Sequence, residues 1–156
     1  MRRIAATSAA IALLLTIIGA ASIVSATPKP TAATTSAKTL QFDVRFSDPF
    51  FLDLGEQGPS LGDQTIFHDQ LLSNGKQVGE DGGTCTIVDA AQPLLNCTVS
   101  FRLPGGQLTA QGLNTPDPTK RLAITGGTDI YRSVRGQATL VEFGDGTGSV
   151  TFQLLP

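Results

Sequence analysis

Asp69 shares a strand face with Phe67 and Leu71. A carboxylate on an apolar face needs a partner or a raised pKa. Such a group can act as an acid or orient a water inside a pocket; equally, it can be a strand-end carboxylate that takes backbone hydrogen bonds near a turn. Asp43 offers the same chemistry, with Arg45 on its own face as a ready partner, and Glu142, which alternates with Leu140, carries the same two readings. Tyr131, the sole tyrosine, is a candidate pocket hydroxyl or a rim or core residue. Phe67 and Phe101 are candidate apolar walls for a ligand, unless they and Phe152 fill the interior themselves. Arg132 and Arg135 can grip an anion or pair with carboxylates such as Asp129.

Metal chemistry has little to work with. The single histidine, His68, has no companions at zinc-ligand spacing, and CxxC and HExxH patterns are absent. No site for a metal or other cofactor is expected. Cys85 and Cys97 flank a turn-like segment, Asp89–Pro93, and folding the flanks into a hairpin brings the two sulfurs together. In an exported chain they are expected to form one disulfide, stabilising the fold by about 2–3 kcal/mol through the unfolded state.

Export is read from the first residues. Arg2 and Arg3 precede an uncharged apolar run from Ile4 to Ile18, and Val24-Ser25-Ala26 is a small-x-small cleavage pattern. Residues 1–26 therefore read as a secretory signal peptide, the run being short for a spanning helix. Residues 27–39, rich in Thr, Ala and Pro without periodicity, read as a flexible linker. Residues 40–156 remain as one domain. The mature chain of 130 residues carries a net charge of −4, which gives no basic footprint for nucleic acid. The expected destination is extracellular, with no membrane association after cleavage.

These side chains need strands to position them. Leu40–Phe46 alternates cleanly, with Leu40, Phe42, Val44 and Phe46 on one face and Gln41, Asp43 and Arg45 on the other. Further strands are expected over Asp63–Leu72, Lys76–Gly79, Thr84–Val88, Asn96–Leu103, Gln107–Leu113, Leu122–Thr125, Gln137–Phe143 and Ser149–Leu155. Asn74-Gly75 is the strongest hairpin turn signal, and Glu80–Gly83 is expected to interrupt a strand as a bulge or bend. About eight short strands with turns between them, and no long helical pattern, predict an all-β sandwich or barrel. The glycine bends favour a closed barrel, which at this strand number has room for a packed interior or one small ligand.

Leu122-Ala-Ile-Thr-Gly-Gly-Thr-Asp-Ile-Tyr131, followed by Gly136-Gln137, resembles the late strand–turn–strand segment of the allene oxide cyclase and dirigent protein superfamily. Leu61-Gly-Asp63, Phe67, Leu71, Val78-Gly79, Gly83-Thr-Cys85, Ser100-Phe101 and Gly106–Gly112 follow that superfamily's order and spacing, so the resemblance spans roughly Leu40 to Leu155. It implies an eight-stranded antiparallel β-barrel with an apolar cavity, often assembled as a homotrimer. Allene oxide cyclases close an epoxide into a cyclopentenone without a cofactor, largely by holding one substrate conformation; dirigent proteins steer the coupling of radicals made elsewhere. By position, Asp43 falls at the cyclase's first-strand acid, Asp69 at its water-orienting amide and Cys85 at a pocket cysteine. The match is partial: Asp69 replaces an amide with a carboxylate, Cys85 is expected in a disulfide, and neither family's full catalytic set is present. The resemblance implies a small apolar molecule as partner and a cofactor-independent cyclase or isomerase, with Asp43 and Asp69 as catalytic anchors. A dirigent-like or purely binding protein is the alternative.

Overall fold

The structure is a computed structural model that describes residues 37–155. The expected signal peptide and nearly all of the expected linker lie outside the described residues. Nine strands follow in chain order: β1 (Lys38–Arg45), β2 (Phe50–Leu52), β3 (Gln64–Ser73), β4 (Lys76–Asp89), β5 (Leu94–Leu103), β6 (Gly106–Asn114), β7 (Thr119–Gly127), β8 (Arg135–Glu142) and β9 (Thr147–Leu155). A single 3-10 turn, Asp129–Tyr131, stands between β7 and β8.

Each long strand from β3 onward pairs antiparallel with the next, and β9 pairs with β1 along the whole of β1. The end of β1 then pairs with β3, as in Val44 opposite Leu71. This last pairing closes eight strands into a barrel. The three-residue β2 continues the line of β1, pairing with β3 at Gln64–Ile66. Of the mostly apolar run Phe50–Leu54, only the first three residues are strand.

Alternation builds the wall. On β5, Cys97, Val99, Phe101 and Leu103 are buried while Thr98, Ser100 and Arg102 are exposed. On β9, Val150, Phe152 and Leu154 point inward in the same way. The Asn74-Gly75 hairpin is present, with both residues at positive φ (52° and 72°), the geometry of a primed two-residue turn.

Two expectations are corrected. Glu80–Gly83 does not interrupt a strand: β4 runs unbroken from Lys76 to Asp89, and its register with β3 is continuous there, Gly82 facing His68 and Gly83 facing Phe67. Gly83 is needed for close approach instead, because a Cβ there would lie 2.5 Å from the Thr98 carbonyl oxygen and 2.8 Å from the Phe67 ring. Secondly, β7 starts at Thr119, three residues before the expected strand start at Leu122, and this brings Lys120 onto the inward face with Leu122 and Ile124.

A polar anchor organises the long β2–β3 connection. Asp63 is fully buried and its two oxygens accept the backbone N–H groups of Leu54 (2.7 Å) and Ser60 (2.6 Å). Those bonds, the Leu54 one foremost, hold its carboxyl below the usual aspartate range.

Candidate functional site

Large side chains fill one end of the barrel. Phe152, Leu71 and Leu108 are completely buried, and Phe101 meets Phe152 edge to face with ring centroids 4.9 Å apart. Tyr131 belongs to this packed end. It is buried beneath the 3-10 turn, its hydroxyl donates to the Pro104 carbonyl (3.0 Å), and burial pushes its phenol up. It does not line the cavity, so its expected role as a ligand-binding residue is corrected to a structural one. Arg132 and Arg135 are exposed beside the same turn.

The other end is hollow. A cavity of about 520 Å³ opens between the β1–β2 break, the β6–β7 loop and the β8–β9 turn. This lies within the range of small-molecule sites. Phe101 forms its floor, Phe67 and the Cys85–Cys97 disulfide form part of one wall, and Ala138 and Leu140 part of the other. The disulfide joins directly paired residues of β4 and β5, so the expected pairing is present and faces inward.

Asp69 and Asp81 stand together in this apolar cavity. They are register partners on β3 and β4, both are 5% exposed, and both line the cavity. Asp69 holds the chain where β1 gives way to β2: one of its oxygens accepts the Ser47 backbone N–H (2.8 Å) and the Ser47 hydroxyl (3.2 Å). Both readings of Asp69 thus meet in one residue, a backbone-anchoring carboxylate that also faces the pocket. Asp81 is placed differently. Its Oδ1 is buried with no hydrogen-bond partner. Burial, and then the negative charge of Asp69, raise its pKa to about 7, with His68 on the outer face opposing the rise. A carboxyl group that titrates near neutrality in a largely apolar pocket can hand a proton to a bound oxygen or nitrogen and take one back.

The rim is polar too. Lys120 is 6% exposed and lines the cavity; its ammonium donates to the carbonyls of Thr115 (2.8 Å) and Asp117. Glu142, also at the cavity, stands 3.6 Å from it. Asn114 lines the same opening, with a buried Oδ1 that has no partner.

Four of the six expected site residues, Asp69, Phe67, Phe101 and Glu142, converge on one cavity, as do the disulfide cysteines. Asp43 does not. It lies on the outer face of β1, exposed, away from the cavity lining, because it alternates out of phase with the inward Phe42 and Val44. The expected catalytic role for Asp43 is therefore corrected: its side chain has no access to a molecule in the barrel. Asp81, Lys120 and Asn114 were missed. Parity with Cys85 and Ile87 marks Asp81 as inward once β4 is read as unbroken, and parity with Leu122 and Ile124 does the same for Lys120. Among the described residues, no three His, Cys, Asp or Glu side chains gather as a metal site requires.

Residues 32–150 match the family of allene oxide cyclase barrel-like domains, and the chain belongs to that family. Among solved structures it is similar to a pyocyanin demethylase, at 31% identity and a TM-score of 0.68, with 76% of this chain covering all of that one. It shares its fold with the pterocarpan synthase dirigent protein GePTS1 (21% identity, TM-score 0.57, 77% of this chain and 90% of that one). The same holds for the Diels-Alderase AbmU from Streptomyces koyangensis (16% identity, TM-score 0.62, 80% and 72%). No curated protein matches the chain.

Proposed function

We propose that this barrel is an exported cyclase or isomerase that takes one small, largely apolar molecule into its cavity and rearranges it by positioning and proton transfer, without calling on a bound cofactor. The observation that carries the reading is Asp81: a carboxyl poised near neutral pH, with an unpartnered oxygen, in an apolar cavity of ligand size. The neutral acid is the group to protonate or hydrogen-bond an oxygen on which charge develops, and the apolar walls strengthen that interaction by excluding water. Burial first, and then the charge of Asp69 fixed by Ser47, keep the proton on Asp81. Phe67 and Phe101 restrict the conformations that the substrate can adopt. Supporting the choice of a small-molecule enzyme is the 31% identity to a pyocyanin demethylase over that chain's full length.

A second reading, a dirigent-like or simple binding barrel, draws on the Ser47 bonds of Asp69, which give that carboxylate a structural task independent of any reaction. Native mass spectrometry of the protein purified from its own host separates the two, since it reads a retained small molecule and the oligomer mass (a homotrimer is expected) together. The retained molecule is then incubated with wild type and with Asp81→Asn. Conversion by wild type, lowered 100-fold or more in the variant, supports the enzyme. A molecule retained but never converted supports the binding protein, and an empty barrel that converts nothing removes both.

A further inference from the structure

The rim of the cavity holds a cation whose hydrogen bonds are incomplete. Lys120 is nearly inaccessible to solvent, and its ammonium has three N–H donors. Two are taken by the carbonyls of Thr115 and Asp117. Among the described residues the third has only the Glu142 carboxylate, at 3.6 Å, beyond hydrogen-bond distance. Glu142 is 41% exposed on its side chain, so it can swing to solvent without leaving the rim unpacked. Asn114, next in the chain to Thr115, faces the same opening with an unpartnered amide oxygen. A half-turn of that amide puts two N–H donors where the oxygen now stands. A buried ammonium with a donor to spare, beside an amide whose oxygen has no partner and which offers N–H donors once turned over, in the mouth of an apolar cavity, suits a ligand group that accepts several hydrogen bonds and carries negative charge.

On the reading that the cavity binds a small apolar molecule, we infer that Lys120 and Asn114 form a carboxylate subsite, so that the bound molecule is an organic monoacid with its apolar body toward Phe101 and its carboxylate at the rim. Glu142 occupies the ammonium in the empty barrel and yields to the ligand. The arrangement also sets the direction of entry. The uncharged end of the molecule goes in first and meets the Asp69–Asp81 pair, while the charged end stays at Lys120.

The test is calorimetric titration at pH 6 with two probes of one shape, 2-naphthoate and the neutral 2-naphthamide, against wild type, Lys120→Met and Glu142→Gln. Wild type is expected to bind naphthoate at least tenfold more tightly than naphthamide, and Lys120→Met to lose that preference. Glu142→Gln, which changes a partly exposed residue and removes the competing charge, should tighten naphthoate severalfold and leave naphthamide unchanged. Equal binding of the two probes by wild type, or no gain for naphthoate in Glu142→Gln, overturns the subsite while leaving the cavity reading intact. Failure of wild type to bind either probe overturns the cavity reading and the subsite with it.

Discussion

The two ends of the barrel share their strands and differ in what the inward positions carry. At the closed end these positions hold Phe152, Leu108, Leu71 and Tyr131, large side chains that interlock and leave polar groups only where a partner waits, as the Tyr131 hydroxyl meets Pro104. At the open end the small Cys85 and Ala138 stand on opposite walls, and the space they leave is bordered by Asp69, Asp81, Asn114 and Lys120. One end is organised to be stable, and the other leaves polar atoms buried without partners. Orphaned buried groups cost stability, and their concentration at the hollow end is the observation on which the proposed function rests.

Substitutions should separate the ends. Phe152→Ala removes the largest completely buried side chain of the closed end and should destabilise the protein by about 3–5 kcal/mol in denaturant titrations, while the open end keeps its lining. Asp81 should act through pH. Its folded pKa is raised to about 7, whereas an unfolded aspartate titrates near ~3.9. Between these values the folded chain keeps a proton that the unfolded chain releases, so stability falls as pH rises through the window, by up to roughly 4 kcal/mol in all. Asp81→Asn should flatten this slope and leave the protein more stable than wild type at pH 8; an unchanged slope would assign the pH dependence to another group. Reducing the Cys85–Cys97 bond should cost about 2–3 kcal/mol, measured as a shift in the urea midpoint with and without reductant. Asp43→Asn, on the outer face, should change stability by less than about 0.5 kcal/mol and leave ligand binding untouched.

Much of the fold was legible because it depends on period. Alternation in Leu40–Phe46 and Asn96–Leu103, the Asn74-Gly75 turn and the paired cysteines place β1, β5, the β3–β4 hairpin and the disulfide without coordinates. The stretch from Leu122 to Gln137 marks the family and forms a corner of the closed end. A Cβ at Gly136 would overlap the Gln153 carbonyl oxygen, and the turn is held by the Thr128 amide and hydroxyl on Gln107. The site was legible only in part. Asp69 sits in a clean apolar alternation, so its inward face could be read. Asp81 sits in Glu80-Asp-Gly-Gly83, whose glycines signal a bulge or bend by composition, whereas here Gly83 permits a close approach to Thr98 and Phe67. Lys120 was missed because the expected strand began only at Leu122, whereas β7 starts at Thr119, directly after Pro118. Asp43 was drawn in by position within the family, against its own parity with Gln41 and Arg45.

The most direct measurement is the titration of the Asp81 carboxyl carbon by NMR in protein labelled at aspartate, assigned by comparison with Asp81→Asn. A midpoint near pH 7 is predicted, shifting downward in Asp69→Asn as the neighbouring charge is removed. A midpoint near pH 4, unmoved by Asp69→Asn, would mean that Asp81 is an ordinary ionised carboxylate, and the barrel would lose its acid.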